Sequence, residues 1–265
     1  VKAPDGYLLD EQHKDIQLEW GKTKTLVFEN KARPALEILK IDEATKKPLA
    51  GAKFKVTRTE GNTTSEYVTD NTGKILIENL NAEIYTIEEI VAPDGYLLEE
   101  QHKDVELEWG KTKQVVFTNK KRPVLTIKKI DSKTKEPLSG AKFKVTKTED
   151  KTVSEYITDK TGTVTIEKLD ESIYTVEEVT APEGYILEPQ HKEIFLEWGK
   201  NKTLVYEDTR KPTLIITKTN ALTYKPIPNT TYKIEYEGQN GGITTLGTYR
   251  TDKNGQIILP KVEPG

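Results

Sequence analysis

The stretch Leu36-Glu37-Ile38-Leu39-Lys40 indicates the fold, because its apolar side chains recur at every second residue. A period of two is that of a β-strand, whose successive side chains point to opposite faces of a sheet. The same alternation continues at Phe54 and Val56, which stand between lysines, and turn signals such as Asp-Asn-Thr-Gly at 70–73 separate the short apolar runs. About seven such strands in each unit predict an antiparallel β-sandwich.

The sequence repeats itself at an interval of 89 residues. Its three tryptophans, Trp20, Trp109 and Trp198, each lie in the tripeptide Glu-Trp-Gly. Two other motifs keep this interval: Ala-Pro-(Asp or Glu)-Gly-Tyr, which begins at Ala3, Ala92 and Ala181, and Gln-His-Lys, which contains His13, His102 and His191. A fixed interval of this kind is typical of tandem domains.

The prolines Pro34, Pro123 and Pro212 keep the same interval and mark the predicted domain boundaries. The fold prediction is therefore all-β, with tandem antiparallel β-sandwich repeats of 89 residues. The four predicted units are the leading segment (1–33, the C-terminal part of a repeat), the first complete repeat (34–122), the second complete repeat (123–211) and the trailing segment (212–265, a truncated, diverged repeat).

Composition narrows the function classes. The chain is 34% hydrophobic and 31% charged, which favours several small domains over one large core. A net charge of −3 with acids and bases interspersed gives no basic stripe, so we expect no nucleic-acid partner. No apolar stretch approaches the roughly 18 residues of a membrane span, so we expect no membrane insertion in this segment. Because methionine is absent, even from position 1, we expect a fragment of a longer protein.

Cysteine is also absent. This excludes disulfides, zinc-thiolate sites and thiol nucleophiles. Small extracellular domains usually need some covalent or metal staple, so another kind of staple is expected here.

A lysine lies on the apolar face of the first strand in each repeat. Lys40 is in phase with Leu36 and Ile38, and Lys129 and Lys218 hold the equivalent places further along the chain. An uncompensated buried charge is costly, so such lysines are expected to pair, lose their charge or react.

An acid joins the lysine on this face. Glu89 is in phase with Tyr85 and Ile87, whereas the neighbouring Glu88 points outward. Glu178 is the equivalent residue of the second complete repeat.

The closing strand adds an amide or a second acid. In the leading segment Asn30 is in phase with Leu26 and Phe28, and the equivalent residues of the two complete repeats are Asn119 and Asp208. The spacing alone leaves two interpretations. The commoner arrangement is a satisfied buried triad held by hydrogen bonds.

The alternative is chemical. Desolvation lowers the pKa of a lysine and raises that of a glutamic acid, so a neutral amine and a neutral acid can coexist. The amine would attack the side-chain carbonyl of Asn119 or Asp208 while the glutamate moves protons, and ammonia or water would leave.

The order of motifs resembles the Cna protein B-type (SpaA-like, prealbumin-like) domain. The matching stretches are Lys-Ile-Asp at 40–42, Leu-Ala-Gly-Ala-Lys-Phe at 49–54, Tyr-Thr-Ile-Glu-Glu at 85–89 and Ala-Pro-Asp-Gly-Tyr at 92–96. The resemblance covers essentially the whole chain. It implies a prealbumin-like, inverse immunoglobulin-like sandwich, and it favours the chemical interpretation of the triads.

In that family a lysine of the first strand bonds to an asparagine or aspartate of the last strand, with a glutamate between them as catalyst. Carried over residue by residue, the resemblance implies catalytic Glu89 and Glu178, isopeptide crosslinks Lys40–Asn119 and Lys129–Asp208, and incomplete triads at Asn30 and Lys218.

The function that the resemblance implies is a structural stalk or spacer of a Gram-positive surface adhesin or pilin-like protein. No turnover enzyme is expected, only a single self-crosslinking reaction in each domain. The alternative is an adhesin module that itself binds a host protein. The expected location is extracellular, with a wall anchor C-terminal to this segment. The expected partners are the neighbouring repeats in cis, and a host extracellular protein through domains outside this segment.

Three other features favour structural interpretations. The histidines stand one per repeat in charged Gln-His-Lys loops, so neither a metal nor a cofactor is expected. The tryptophans are in phase with the apolar face and are predicted to pack partly into the core. The stretch Tyr224-Lys225-Pro226 aligns with Lys135-Glu136-Pro137 and is predicted to be a turn.

Overall fold

The computed structural model describes residues 2–9, 13–99, 102–187, 191–238 and 240–263. In this part of the chain every regular element is a β-strand, and no helix is long and apolar enough to cross a membrane. The chain divides into two compact units, one built mainly from 1–123 and the other mainly from 124–265.

The leading segment contains one antiparallel pair, β1 (Tyr7–Leu9) with β2 (Asn30–Ala32). Sequence analysis predicts a longer closing strand that buries Leu26 and Phe28. This prediction is wrong here, because both side chains are largely exposed and lie outside any strand. The described part of the leading segment offers no first strand for them to pair with, and a strand without a ladder partner and an apolar face is not stable.

The first complete repeat is a sandwich of seven strands, as predicted. A three-stranded sheet in the order β6-β3-β9 faces a four-stranded sheet in the order β5-β4-β7-β8. The strands are β3 (Ala35–Asp42), β4 (Lys53–Arg58), β5 (Thr63–Val68), β6 (Lys74–Ile77), β7 (Ile84–Val91), β8 (His102–Glu106) and β9 (Thr112–Asn119).

One pairing in this sandwich is parallel. The first strand, β3, lies parallel to the last, β9, with Lys40 opposite Phe117 and Asp42 opposite Asn119. Strands joined by a tight hairpin must be antiparallel, but the chain enters β9 from β8 in the opposite sheet, so this constraint does not apply to β3 and β9. The pairing brings the C-terminal ends of the first and last strands side by side.

The core follows the period of two. Leu36 and Ile38 of β3 are fully buried, and Phe54 and Phe117 meet edge to face with ring centroids 4.9 Å apart. Such an aromatic pair contributes about 1 kcal/mol beyond its buried area.

The second complete repeat has the same seven-stranded architecture, with sheets in the orders β13-β10-β16 and β12-β11-β14-β15 and with β10 parallel to β16. Its aromatic pair is Phe143 and Tyr206, with centroids 4.8 Å apart. The strands are β10 (Val124–Asp131), β11 (Lys142–Lys147), β12 (Val153–Ile157), β13 (Thr163–Ile166), β14 (Ser172–Thr180), β15 (His191–Leu196) and β16 (Asn201–Asp208). The all-β, tandem-sandwich prediction is confirmed.

The trailing segment forms two antiparallel pairs around a small core of Ile234, Ile257 and Leu259. Its turn at Tyr224 has a positive φ, as does the equivalent Lys135, and Pro226 forms the same type of bridge as Pro137. The prediction of an ordinary turn is confirmed. The strands are β17 (Leu214–Thr217), β18 (Thr231–Glu237), β19 (Ile243–Arg250) and β20 (Gln256–Leu259).

Candidate functional site

The first triad is brought together inside the sandwich of the first complete repeat. Lys40 lies on β3 and Asn119 at the end of β9, while Glu89 lies on β7 in the opposite sheet. Exposed fractions are 0% for Lys40, 4% for Glu89 and 1% for Asn119. The alternation of each strand places its polar residue on the same buried face as its apolar neighbours.

The three side chains are joined in a closed ring of contacts. Nζ of Lys40 donates to Oδ1 of Asn119 at 2.5 Å and to Oε2 of Glu89 at 2.8 Å. Nδ2 of Asn119 donates to Oε1 of Glu89 at 2.9 Å. The glutamate therefore contacts both the amine and the amide nitrogen, and the amine contacts the amide oxygen.

Burial dominates the electrostatics of this ring. Burial lowers the pKa of Lys40, although its hydrogen bond to Glu89 opposes the shift. Burial raises the pKa of Glu89, against the opposing effect of Lys40. The pKa of the lysine falls and that of the glutamate rises, so the difference between the two pKa values narrows. This favours transfer of the proton from the amine to the acid.

The second triad has the same placement but different chemistry. Lys129 on β10 donates to Oε2 of Glu178 on β14 at 2.6 Å and forms an ion pair with Asp208 on β16. All three side chains are buried. Oε1 of Glu178 accepts no hydrogen bond from the described residues, whereas the equivalent oxygen of Glu89 accepts one from an amide.

The extra carboxyl group changes the proton affinity of this triad. The pKa of Glu178 is raised to about 7, first by burial and further by Asp208, while Lys129 acts to lower it. Two buried carboxylates that share one site do not both remain charged easily, so the pair tends to bind one proton.

Aromatic rings surround the amine. Nζ of Lys40 lies 5.9 Å from the ring centroid of Phe54 and 6.0 Å from that of Phe117. In the second repeat Tyr206 replaces Phe117, and its hydroxyl donates to the carbonyl of Val176 at 2.6 Å. The period of two in the sequence predicts only that these rings belong to the apolar face. The signal that identifies them is their position in phase with the triad residues.

The incomplete triads are not assembled. Asn30 is exposed in β2, and Lys218 is half-buried just after β17. Within the described residues, neither side chain forms an ion pair or a hydrogen bond. Among the described residues of these two segments, no strand places a glutamate beside either side chain.

The histidines and tryptophans lie away from the triads. His13, His102 and His191 are exposed, and no group of three metal-ligating side chains occurs in the described part of the chain. Trp109 and Trp198 are half-buried, and the guanidinium of Arg122 lies 5.9 Å from the ring centroid of Trp198. Their packing into the core stays a prediction. Trp20 is fully exposed, so the prediction is wrong there, because the described leading segment builds no core around it.

The sequence of this chain matches one protein family. The model of the family described as SpaA, prealbumin-like fold domain, matches residues 34–121 and 123–210. No curated protein matches the chain.

Several solved structures are similar. The Bacillus anthracis TIE protein is 26% identical over 86% of this chain, with a TM-score of 0.39, and the match spans 43% of that protein's length. Shaft pilin SpaA of Lactobacillus rhamnosus GG is 16% identical, covering 69% of this chain and 98% of the pilin, with a TM-score of 0.44. A streptococcal ancillary pilin is 21% identical, covering 78% and 75% of the two chains, with a TM-score of 0.36.

Because the family match includes both complete seven-stranded sandwiches and more than half of the chain, this chain belongs to the SpaA prealbumin-like fold domain family.

Proposed function

We propose that this chain is a stalk segment of a bacterial surface protein whose complete repeats each form one intramolecular isopeptide bond. The crosslinks join Lys40 to Asn119 and Lys129 to Asp208. The observation that carries the proposal is the buried contact of 2.5 Å between Nζ of Lys40 and Oδ1 of Asn119, with Glu89 hydrogen-bonded to both side chains.

In the first complete repeat the reaction begins with proton transfer from Nζ of Lys40 to Glu89. The neutral amine attacks Cγ of Asn119, and negative charge develops on Oδ1 while Glu89 stays hydrogen-bonded to Nδ2. Glu89 then carries a proton from Nζ to Nδ2. The bond between Cγ and Nδ2 breaks, ammonia leaves, and an amide joins Nζ to Cγ. Glu89 is left protonated and returns to its carboxylate form when this proton passes to the ammonia, which departs as ammonium.

In the second complete repeat the leaving group is different. Nζ of Lys129 attacks Cγ of Asp208, the bond between Cγ and one carboxyl oxygen breaks, and water leaves. The protons of the ion-paired triad balance this reaction, because one of the three protons on Nζ stays on the new amide and two leave in the water. A further proton on the carboxyl pair accelerates the reaction, since Asp208 is then attacked as a neutral acid while Glu178 is still protonated. The raised pKa of Glu178 supports the supply of that proton near neutral pH.

The mechanical consequence follows from the parallel pairing of β3 and β9. Tension that enters at the start of β3 and leaves at the end of β9 shears this pair of strands. A bond between Lys40 and Asn119 would carry the force directly and bypass the 79-residue separation between them. The bypassed chain would otherwise extend by on the order of 250 Å.

The crosslink also supplies the staple that a chain without cysteine lacks. If the entropy of loop closure acts as it does for disulfides, a loop of this length stabilises the fold by about 4 kcal/mol. Family membership supports a place on the cell surface, with the wall anchor and any host-binding domain outside this segment. The units proposed to crosslink are residues 34–122 and 123–211.

Single-molecule stretching tests the mechanical role. The parent is expected to show no extension step from either complete repeat beyond the few residues outside each crosslink. The Glu89→Ala variant is expected to gain one step of about 250 Å, because its first repeat can unfold fully. Two full steps in the parent would refute the proposal. Glu88→Ala, which removes an outward-facing acid on the same strand, is the matched control and should behave as the parent does.

A further inference from the structure

A second buried acid lies beside each triad, and the crosslinking chemistry does not use it. Asp42 follows Lys40 by two residues on the same face of β3 and is only 4% exposed. Its Oδ1 accepts hydrogen bonds from the backbone N–H groups of Ala44 at 2.9 Å and Thr45 at 2.6 Å. Its Oδ2 accepts one from the hydroxyl of Tyr96 at 2.9 Å.

Tyr96 belongs to the loop that follows the glutamate strand β7. This loop, residues 92–99, pairs with the chain that leaves Asn119. The N–H of Leu97 donates to the carbonyl of Lys120 at 2.9 Å, and the N–H of Arg122 donates to the carbonyl of Gly95 at 2.8 Å. The loop therefore connects the strand of Glu89 with the exit of β9, and the bond from Tyr96 to Asp42 ties both to the strand of Lys40.

The second complete repeat has the same arrangement. Asp131 is 3% exposed, and its Oδ2 accepts a hydrogen bond from the hydroxyl of Tyr185 at 2.9 Å. The N–H of Ile186 donates to the carbonyl of Thr209 at 2.9 Å, just past Asp208. Two repeats that differ in their crosslinking residue thus share the same acid and tyrosine.

The leading segment contains the equivalent loop, and the trailing segment contains the position equivalent to the acid, so each can be considered by itself. In the leading segment Tyr7 pairs with Ala32 as Tyr96 pairs with Lys121, although the Tyr7 side chain is 45% exposed. Among the described residues, the loop pairing of the leading segment is thus present without a hydrogen bond from the tyrosine hydroxyl to an aspartate.

In the trailing segment Asn220 stands in the place of Asp42. It accepts hydrogen bonds from the N–H groups of Leu222 at 2.9 Å and Thr223 at 3.0 Å. An asparagine is therefore enough for the turn, so the turn does not need the second carboxylate oxygen of Asp42, which accepts the hydrogen bond from Tyr96.

Burial acts to raise the pKa of Asp42, but hydrogen bonds from Thr45 and Tyr96 lower it overall, so the bond from Tyr96 persists over a wide pH range. The pKa of Tyr96 is raised to about 12 by burial and by Asp42. The pKa of Asp131 is lowered to about 2, mainly by the N–H groups of Thr134 and Lys133. A neutral hydroxyl that faces a carboxylate is a charge-assisted hydrogen bond, which is stronger than a neutral one.

We propose that Asp42–Tyr96 and Asp131–Tyr185 are positioning pairs for crosslinking, which fasten the loop after the glutamate strand to the first strand and so hold the three reacting side chains together and exclude water. The inference rests on the proposed isopeptide function. These residues touch no reacting atom, and they act through the position of Glu89 and Asn119, or of Glu178 and Asp208.

The test is a time course of crosslinking in the full chain. Protein from cell-free synthesis is kept unfolded in denaturant, refolded by dilution and sampled by intact mass. Tyr96→Phe is expected to slow the loss of ammonia by about tenfold or more, because it removes one buried hydrogen bond to a charged group. The loss of water from the second repeat should keep its parental rate, and Tyr185→Phe should give the reverse pattern.

The pH profile distinguishes positioning from a purely structural role. If the pair excludes water, Tyr185→Phe admits solvent to Glu178, whose charged neighbours Lys129 and Asp208 remain. The midpoint for water loss should then move to lower pH. A purely structural role would leave this midpoint unchanged in natively folded molecules. Asp42→Asn, which preserves the turn acceptor, is the milder variant and should slow ammonia loss by less than Tyr96→Phe.

The outcomes are distinct. Parental rates in natively folded Tyr96→Phe and Asp42→Asn would overturn the positioning role and leave the proposed function intact. Full mass in the parent at all times would overturn both. Slowing confined to the repeat that carries the substitution, together with the shifted midpoint, would support the inference.

Discussion

At the residue scale, the difference between Asn119 and Asp208 is the most informative feature of the chain. Both triads bury a lysine and a glutamate, but only the first offers an amide that can donate to the glutamate. The amide triad can react after moving a proton within itself. The acid triad reacts fastest when its carboxyl pair holds a further proton, because burial and Asp208 raise the pKa of Glu178.

This difference predicts that the two crosslinking reactions depend on pH to different extents. The pKa of Glu178 is raised to about 7, so the extra proton is present below that pH and is lost above it. Loss of water from the second repeat should therefore slow as pH rises from about 6 to about 8, by up to tenfold for each pH unit above the midpoint. Loss of ammonia from the first repeat should change much less. Intact mass after refolding at each pH measures both reactions in one sample.

Asp208→Asn is the matched control for this prediction. It converts the second triad to the composition of the first, so the chain should lose two ammonia molecules and no water. The dependence near pH 7 should disappear. If the crosslinking rate of Asp208→Asn kept the same pH midpoint as the parent, the carboxyl pair would not be the group that sets this midpoint.

At the element scale, the strand of Lys40 is held by a turn that leaves no room for a side chain. Gly73 has a φ of +72°, and a Cβ at this position would lie 2.6 Å from the carbonyl oxygen of Lys40 and 2.9 Å from the N of Leu49. The carbonyl of Gly73 also accepts the N–H of Lys40 at 2.7 Å. The turn therefore fixes the backbone of the reacting lysine.

Gly73→Ala is expected to displace Lys40 and slow ammonia loss by roughly ten- to a hundredfold, because small displacements of reacting groups have large effects on rate. Gly51→Ala is the control. Its φ is +83°, so it carries similar backbone strain, but no atom lies within 4 Å of its Cβ. The refolding time course measures both. Equal slowing in the two variants would contradict a specific role for the turn.

Much of this architecture is predictable from the sequence, because a period of two identifies strands and buried faces directly. The positions of Lys40, Glu89 and Asn119 on apolar faces follow from that period. The parallel pairing of β3 with β9 does not, since strand order depends on contacts between distant segments. Nor does the bond from Tyr96 to Asp42, which joins a loop to a strand 54 residues away.

The leading segment shows the limit of the same reasoning. Leu26 and Phe28 have the correct phase, but phase alone does not make a strand without neighbours to complete its ladder. The exposure of Trp20 has the same cause. Local pattern predicts the face that a residue would occupy, while tertiary partners decide whether the element forms.

At the scale of the whole molecule, the chain contains two self-contained buried triads of matching placement. In each repeat, a lysine and a glutamate 49 residues apart meet a third residue on the closing strand. The stretches of chain between the residues of each proposed crosslink should not extend under force. The leading and trailing segments should remain extensible. The two bonds lie in different repeats, so removing one is expected to leave the other intact.

The measurement that tests the central claim most directly is the intact mass of the purified, denatured chain beside its Glu89→Ala and Glu178→Ala variants. The account predicts that the parent is lighter than its sequence by one ammonia and one water. Glu89→Ala should regain the ammonia alone, and Glu178→Ala should regain the water alone. A parent with the full mass of its sequence would show that the triads are buried polar clusters without covalent chemistry and would contradict the account.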